Sequence, residues 1–142
     1  MRVFPETPAA WRNEAEADRW RLVERVTRVV TGAIEVERRE KRFGSSLEAA
    51  PLVFIADAEI ADAFDGLDPA EVFRTSAASL TIGEGPADAF RLEEVPGVAV
   101  QALPADGHKC ARCWRVLPEV KAPTFLCERC EEAVAIWDLR TA

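Results

Sequence analysis

Along the first third of the chain, mostly apolar residues recur at spacings of three and four. Trp20, Val23, Thr27, Val30 and Ile34 form one row, and Leu22, Val26, Val29 and Ala33 form a second beside it. A period of 3.6 residues brings both rows to one side of an α-helix. The pattern predicts a long helix from Pro8 onward, with a wide apolar face that needs a partner surface. Arg and Glu fill most other positions, and Glu35–Arg39 and Glu37–Lys41 are spaced for i, i+4 pairing. Arg38, Arg39, Lys41 and Arg42 crowd the last turns, where cations complement the negative helix end. The same run also reads as a ridge for phosphates. Gly44 is expected to close the helix as its C′ residue. The first eight residues, with two prolines, read as an extended lead-in.

Beyond Gly44 the period changes. Leu52-Val53-Phe54-Ile55 is a short apolar run that predicts a buried strand. Asp57 can cap a short helix through about Phe64, Gly66 interrupts it, and Pro69 can start another turn through Phe73. Three further strand candidates are Leu80–Ile82, Phe90–Leu92 and Val98–Leu103, separated by Gly83, Gly85, Pro86 and Pro96-Gly97. A last helix is expected from about Glu128 to Leu139. Trp11, Trp20 and Trp137 are expected in the core. There is no internal repeat and no low-complexity tract.

The cysteines narrow the picture most. All four lie near the C-terminus, as Cys110-Ala-Arg-Cys113 and, thirteen residues on, Cys127-Glu-Arg-Cys130. Two such knuckles can present four thiolates at the corners of a tetrahedron, the arrangement of a closed structural Zn²⁺ site. Disulfides are disfavoured in a cytoplasmic setting, which the lack of an apolar segment after Met1 suggests. A redox pair would need one knuckle beside a βαβ unit. Tetrathiolate iron wants the same ligands and stays open on the residues alone. Catalytic zinc keeps a free position, and four thiolates leave none, so the single metal is expected to be structural. His108 is either a spare ligand or an exposed loop residue.

The resulting expectation is an α+β chain. It comprises a long N-terminal helical segment (1–50), a small mixed or antiparallel sheet with short helices (51–106) and a four-cysteine zinc finger (107–142). At 142 residues, nearly half of them hydrophobic, the chain can bury a core. No run of about eighteen apolar residues suggests a membrane span. A net charge of −7 argues against general nucleic-acid binding, and no DNA partner is expected. The finger differs locally: between Gly107 and Cys130, Lys109, Arg112, Arg115, Lys121 and Arg129 face only Glu119 and Glu128. Four thiolates on Zn²⁺, formally −2, offset part of that charge.

Three stretches resemble the C-terminal region of bacterial isoleucyl-tRNA synthetases. Phe4-Pro5-Glu6 with Trp11 and Trp20 resembles the lead-in to a helix of their anticodon-binding domain. Ile34-Glu35-Val36-Glu37-Arg38, followed by Lys41-Arg42-Phe43-Gly44-Ser45-Ser46-Leu47-Glu48-Ala49, resembles a segment ending in Ser-Leu-Glu-Ala, with Phe43 where isoleucine is usual. Gly107 to Trp114, Pro118 to Val120 and Leu126 to Cys130 resemble the terminal zinc finger. The ATP-binding motifs of such class I enzymes contain two histidines and a methionine-bearing loop. This chain holds only His108 and Met1, so it is expected to be a non-catalytic piece of a longer enzyme.

The resemblance implies that the region helps hold the anticodon arm of tRNA(Ile), alongside the remainder of the synthetase. Unpaired bases stack on aromatic or guanidinium planes. Arg112 and Trp114 flank Cys113, and Lys109, Arg115 and Arg129 suit phosphates. Trp114 either stacks on RNA or only covers the metal site. A zinc-stapled docking domain without RNA contact is the alternative. A formamidopyrimidine-type DNA glycosylase has the same finger but uses an N-terminal proline and glutamate, and here Pro5-Glu6 lies inside the chain.

Overall fold

The computed structural model describes residues 6–141, so Phe4 and Pro5 of the lead-in lie outside the described residues. A 3₁₀ turn at Ala9–Trp11 precedes the first helix, α1, which runs Glu14–Arg39. It starts later than the period suggested because Asn13 caps it. Asn13 is extended (φ −135°), and its side chain accepts from the Glu16 N–H at 3.2 Å. The helix also ends before Gly44. Lys41 takes the left-handed conformation (φ 60°), its N–H donates to the Arg38 carbonyl (3.0 Å), and the Arg42 N–H donates to the Glu37 carbonyl (2.9 Å). That is a Schellman closure, with lysine at the C′ position expected for Gly44. The reversal also reassigns the ion pairs. Arg38 pairs with Glu35 (2.6 Å), and Arg42 folds back onto Glu37 and Glu40, in place of Glu35–Arg39 and Glu37–Lys41.

Most of the expected apolar face is buried, with Leu22 and Thr27 half-buried and Trp20 exposed at its edge. Val23, Val26, Val29, Val30, Ala33 and Ile34 are each at most 4% exposed and pack on the sheet and a short helix. Gly32 serves this contact, since a Cβ there would lie 2.9 Å from the Phe90 ring.

The sheet is three-stranded and mixed. β1 (Leu52–Ile55) is central, parallel to β2 (Ser79–Ile82) and antiparallel to β3 (Val98–Gln101), with Val53 opposite Leu80 and Val100. Parallel neighbours require a crossover, and α2 (Ala58–Asp62) and α3 (Pro69–Phe73) supply it. Asp57 and Asp68 cap these helices, each accepting one amide N–H at 2.9 Å. β3 ends at Gln101, short of Leu103. Phe90–Leu92 is not a strand: Phe90 makes a single bridge to Val100. Arg91 explains why. Its guanidinium donates to the carbonyls of Glu84, Pro86, Ala87 and Ala89, gathering a folded loop where a ladder would otherwise extend.

The finger adds a hairpin, β4 (His108–Lys109) with β5 (Val116–Leu117), and a helix, α4 (Glu128–Thr141). It has its own small core of Cys110, Val120, Cys127 and Cys130, while α1 and the sheet share the larger one. The tryptophans depart from expectation. Trp11, Trp20 and Trp137 are 76%, 40% and 66% exposed. The Trp20 indole N–H donates to Glu16 along the helix surface at 2.8 Å, and Trp137 lies on α4, whose side chains past the cysteines are largely exposed. Among the described residues, no helix is long and apolar enough to cross a membrane.

Ile55 sits at the centre of the shared core, 1% exposed. Ile55→Ala is expected to cost about 2–5 kcal/mol, read as a lowered urea midpoint with an unchanged slope.

Candidate metal centre and its basic tip

Chain reversals bring the two knuckles together. In the first, the Trp114 N–H donates to the Cys110 carbonyl (3.0 Å) and the Cys110 N–H to the Arg115 carbonyl (2.8 Å). In the second, the N–H groups of Cys130 and Glu131 return to the Cys127 carbonyl (2.8 and 2.9 Å), so these sulfurs sit at the N-terminus of α4. The knuckles are tied to each other by Ala111 N–H to the Phe125 carbonyl (2.9 Å). Gly107 sets the hairpin's start. Its φ is +110°, and a Cβ there would lie 2.3 Å from the Leu117 carbonyl group.

The four Sγ atoms all lie within 4.8 Å of one another, and those of Cys113 and Cys127 are 3.7 Å apart. Sulfurs held about 2.3 Å from a common centre at tetrahedral corners are separated by about 3.8 Å. The donor set therefore fits one tetrahedral dication. Cys110, Cys127 and Cys130 are buried and Cys113 is half-buried. His108 is exposed on β4 and lies outside the sulfur cluster.

The surroundings favour thiolate unevenly. Burial pushes the Cys110 thiol up, but the backbone N–H groups of Cys113, Cys127 and Arg112 together outweigh it and hold it at about 6. Burial pushes Cys127 up to about 12, and the neighbouring thiols reinforce that. Arg112 reaches the Cys130 sulfur at 3.8 Å. Zn²⁺ bound there supplies the charge that keeps all four sulfurs deprotonated.

The basic residues expected to meet RNA divide into two groups. Trp114 is 64% exposed, and its backbone is left-handed (φ 68°) directly after a ligand. Arg112 and Arg129 are also exposed. Lys109 and Arg115 instead clasp the rest of the chain. The Lys109 ammonium pairs with Glu48 at 3.0 Å, and that carboxylate also accepts the Gly44 N–H at 2.9 Å. The Arg115 guanidinium donates to the Ser76 carbonyl at 2.7 Å. Sequence reasoning gave Glu48 and Ser76 no role, because their partners lie 61 and 39 residues away.

Chelation is expected to strip the finger of its order while leaving the larger core intact. Structural zinc sites are worth about 10–16 kcal/mol in finger peptides. Hydrogen exchange with and without EDTA checks this, with loss of protection confined to residues from about 107 onward. Acid should open the clasp. The Gly44 N–H, and secondarily Lys109, hold the Glu48 carboxyl below its usual value. Its contribution is thus present above the unfolded glutamate value and is lost as pH falls through the lower folded one. A stability–pH curve should lose that acid-side step in Glu48→Gln.

Residues 107–133 match the family described as "Zinc finger found in FPG and IleRS". Over 140 residues the chain is 59% identical to the isoleucine–tRNA ligase of Caulobacter vibrioides, covering 96% of this chain and 14% of that protein. It is 50% identical over 137 residues to the ligase of Agrobacterium fabrum and 46% over 141 residues to that of Bartonella henselae, again 14% of each. The metal is accordingly one structural zinc, and iron, left open by the ligands alone, is set aside. The chain is thus similar, over 96% of its length, to a 14% portion of isoleucine–tRNA ligases, and its four-sulfur site falls within the stretch that matches the shared zinc finger.

Proposed function

We propose that this chain grips the anticodon arm of an isoleucine tRNA while a catalytic region elsewhere in a longer cytoplasmic enzyme charges the acceptor end. The observation that carries the reading is Trp114. A bulky residue in the left-handed region is an outlier costing about 1–2 kcal/mol, and such strain concentrates at functional sites. Here the indole is exposed, and its backbone follows directly on the half-buried ligand Cys113, which the metal holds nearly rigid. A fixed ring of this kind is a stacking platform for a splayed base, worth about 1–3 kcal/mol.

Arg112 and Arg129 are exposed at the tip and are assigned to RNA phosphates, the Arg112 guanidinium also reaching the Cys130 sulfur at 3.8 Å. Lys109 and Arg115 already have partners in the chain, so their share of RNA contact is smaller, and the Lys109 ammonium keeps donors to spare. The basic run after α1 is weaker as a phosphate ridge, since Arg38 and Arg42 are paired with Glu35, Glu37 and Glu40. The contribution to ATP-dependent aminoacylation is orientation of the tRNA, with the bond-making done by other parts of the enzyme. A zinc-stapled docking domain without RNA contact is the alternative; the apolar face of α1 is taken up by the chain's own sheet, so such docking would use another surface.

A salt titration of binding to an isoleucine tRNA tests the proposal. Trp114→Ala is expected to weaken binding by about 1–3 kcal/mol at every salt concentration. Arg112→Ala is expected to flatten the salt slope by about one unit. Undiminished binding by Trp114→Ala would remove the stacking role. No binding even at low salt, with the catalytic portion capturing the chain, would leave a docking module.

A further inference from the structure

We infer that Ser76, in the loop between α3 and β2, is a positioning residue that aims the zinc-bearing tip. Ser76 is 1% exposed, and its backbone and side chain all point outward to other segments. Its N–H donates to the Ala49 carbonyl at 3.1 Å. Its hydroxyl donates to the Leu47 carbonyl at 2.5 Å and accepts the Val116 N–H at 2.6 Å. Its carbonyl accepts the Arg115 guanidinium at 2.7 Å. Two of these bonds end on the segment that follows α1, and the other two end on the finger. One buried serine therefore joins the Leu47–Ala49 segment, beyond the end of the long helix, to the finger hairpin.

The location gives the junction its consequence. Arg115 and Val116 are the two residues that follow Trp114. The zinc fixes the backbone before the indole through Cys113, and Ser76 fixes the backbone after it. Zinc alone sets the internal shape of the finger. How that finger points relative to α1 is set at its seam with the sheet, by Ser76 and by the Lys109–Glu48 clasp. Of these two, the ion pair is exposed and weak, and the buried hydroxyl cannot be replaced by water without opening the seam. The guanidinium adds to this: its Nε is buried without a partner, so Arg115 is committed to the seam at some cost.

The inference rests on Trp114 meeting RNA, and the experiment separates the two claims. Zinc-loaded protein is prepared with Trp11, Trp20 and Trp137 changed to Phe, so that Trp114 is the sole fluorophore. In Ser76→Ala the fast component of its anisotropy decay is expected to grow, with one zinc per chain retained. An unchanged decay would overturn the positioning role whatever RNA does. Affinity for an isoleucine tRNA is then measured for Ser76→Ala, Trp114→Ala and the pair together. Each single change is expected to lower affinity about tenfold, and the pair no further, since a misaimed platform and a missing one are the same loss. Losses that multiply, or full affinity in Ser76→Ala beside reduced affinity in Trp114→Ala, would overturn the inference while leaving the stacking role intact. Full affinity in Trp114→Ala would end both. If Ser76→Ala sheds zinc, Arg115→Met carries the anisotropy measurement alone, because it removes the donor to the Ser76 carbonyl together with a charge that would itself act on RNA affinity; an unchanged decay there would overturn the positioning role.

Discussion

Four sulfurs converging on one point are the constraint from which the C-terminal third takes its form. The finger has only a handful of buried residues, Cys110, Val120, Cys127 and Cys130 among them, and most of that core is the ligand set itself. Apolar burial on this scale cannot offset the conformational entropy of ordering the segment. The sulfur–metal bonds supply the difference, and the hairpin, the left-handed turn at Trp114 and the first turn of α4 exist on the scaffold they create. An indole and two guanidinium groups can therefore be displayed to solvent without a hydrophobic base beneath them.

The larger core works differently. A continuous valine face on α1 closes over a three-stranded mixed sheet, and the two together make a body with no need of metal. The functional tip is attached to this body by polar contacts: one buried serine, one exposed ion pair and one arginine reaching a carbonyl. Polar seams are directional where apolar ones are tolerant of sliding. They suit a joint whose task is to hold an angle.

The charge distribution follows the same division. The chain is acidic as a whole, yet Arg112 and Arg129 stand exposed at the tip, while the arginines after α1 are largely neutralised by neighbouring glutamates. An acidic body discourages indiscriminate contact with polyanions, while a small cationic tip leaves one place where the proposed RNA contact meets less repulsion. Shape and charge thus favour one approach direction over the rest of the surface.

What could be read from sequence is what depends on neighbours along the chain. Periodicity located α1 and most of its buried face, Asp57 and Pro69 marked the short helices, the run at Leu52 gave the central strand, and the cysteine spacing gave a four-thiolate metal site, because each is a local pattern. Helix ends shifted because a side chain, Asn13, and a strained lysine, Lys41, competed with the expected breakers. The strand at Phe90 dissolved because Arg91 found four carbonyls in its own loop. The exposure of Trp20 and Trp137, the pairing of Lys109 and Arg115 with Glu48 and Ser76, and the seating of the finger were decided only in three dimensions. Those outcomes depend on groups dozens of residues apart meeting in a buried or half-buried seam, and no spacing rule along a single chain encodes such a meeting.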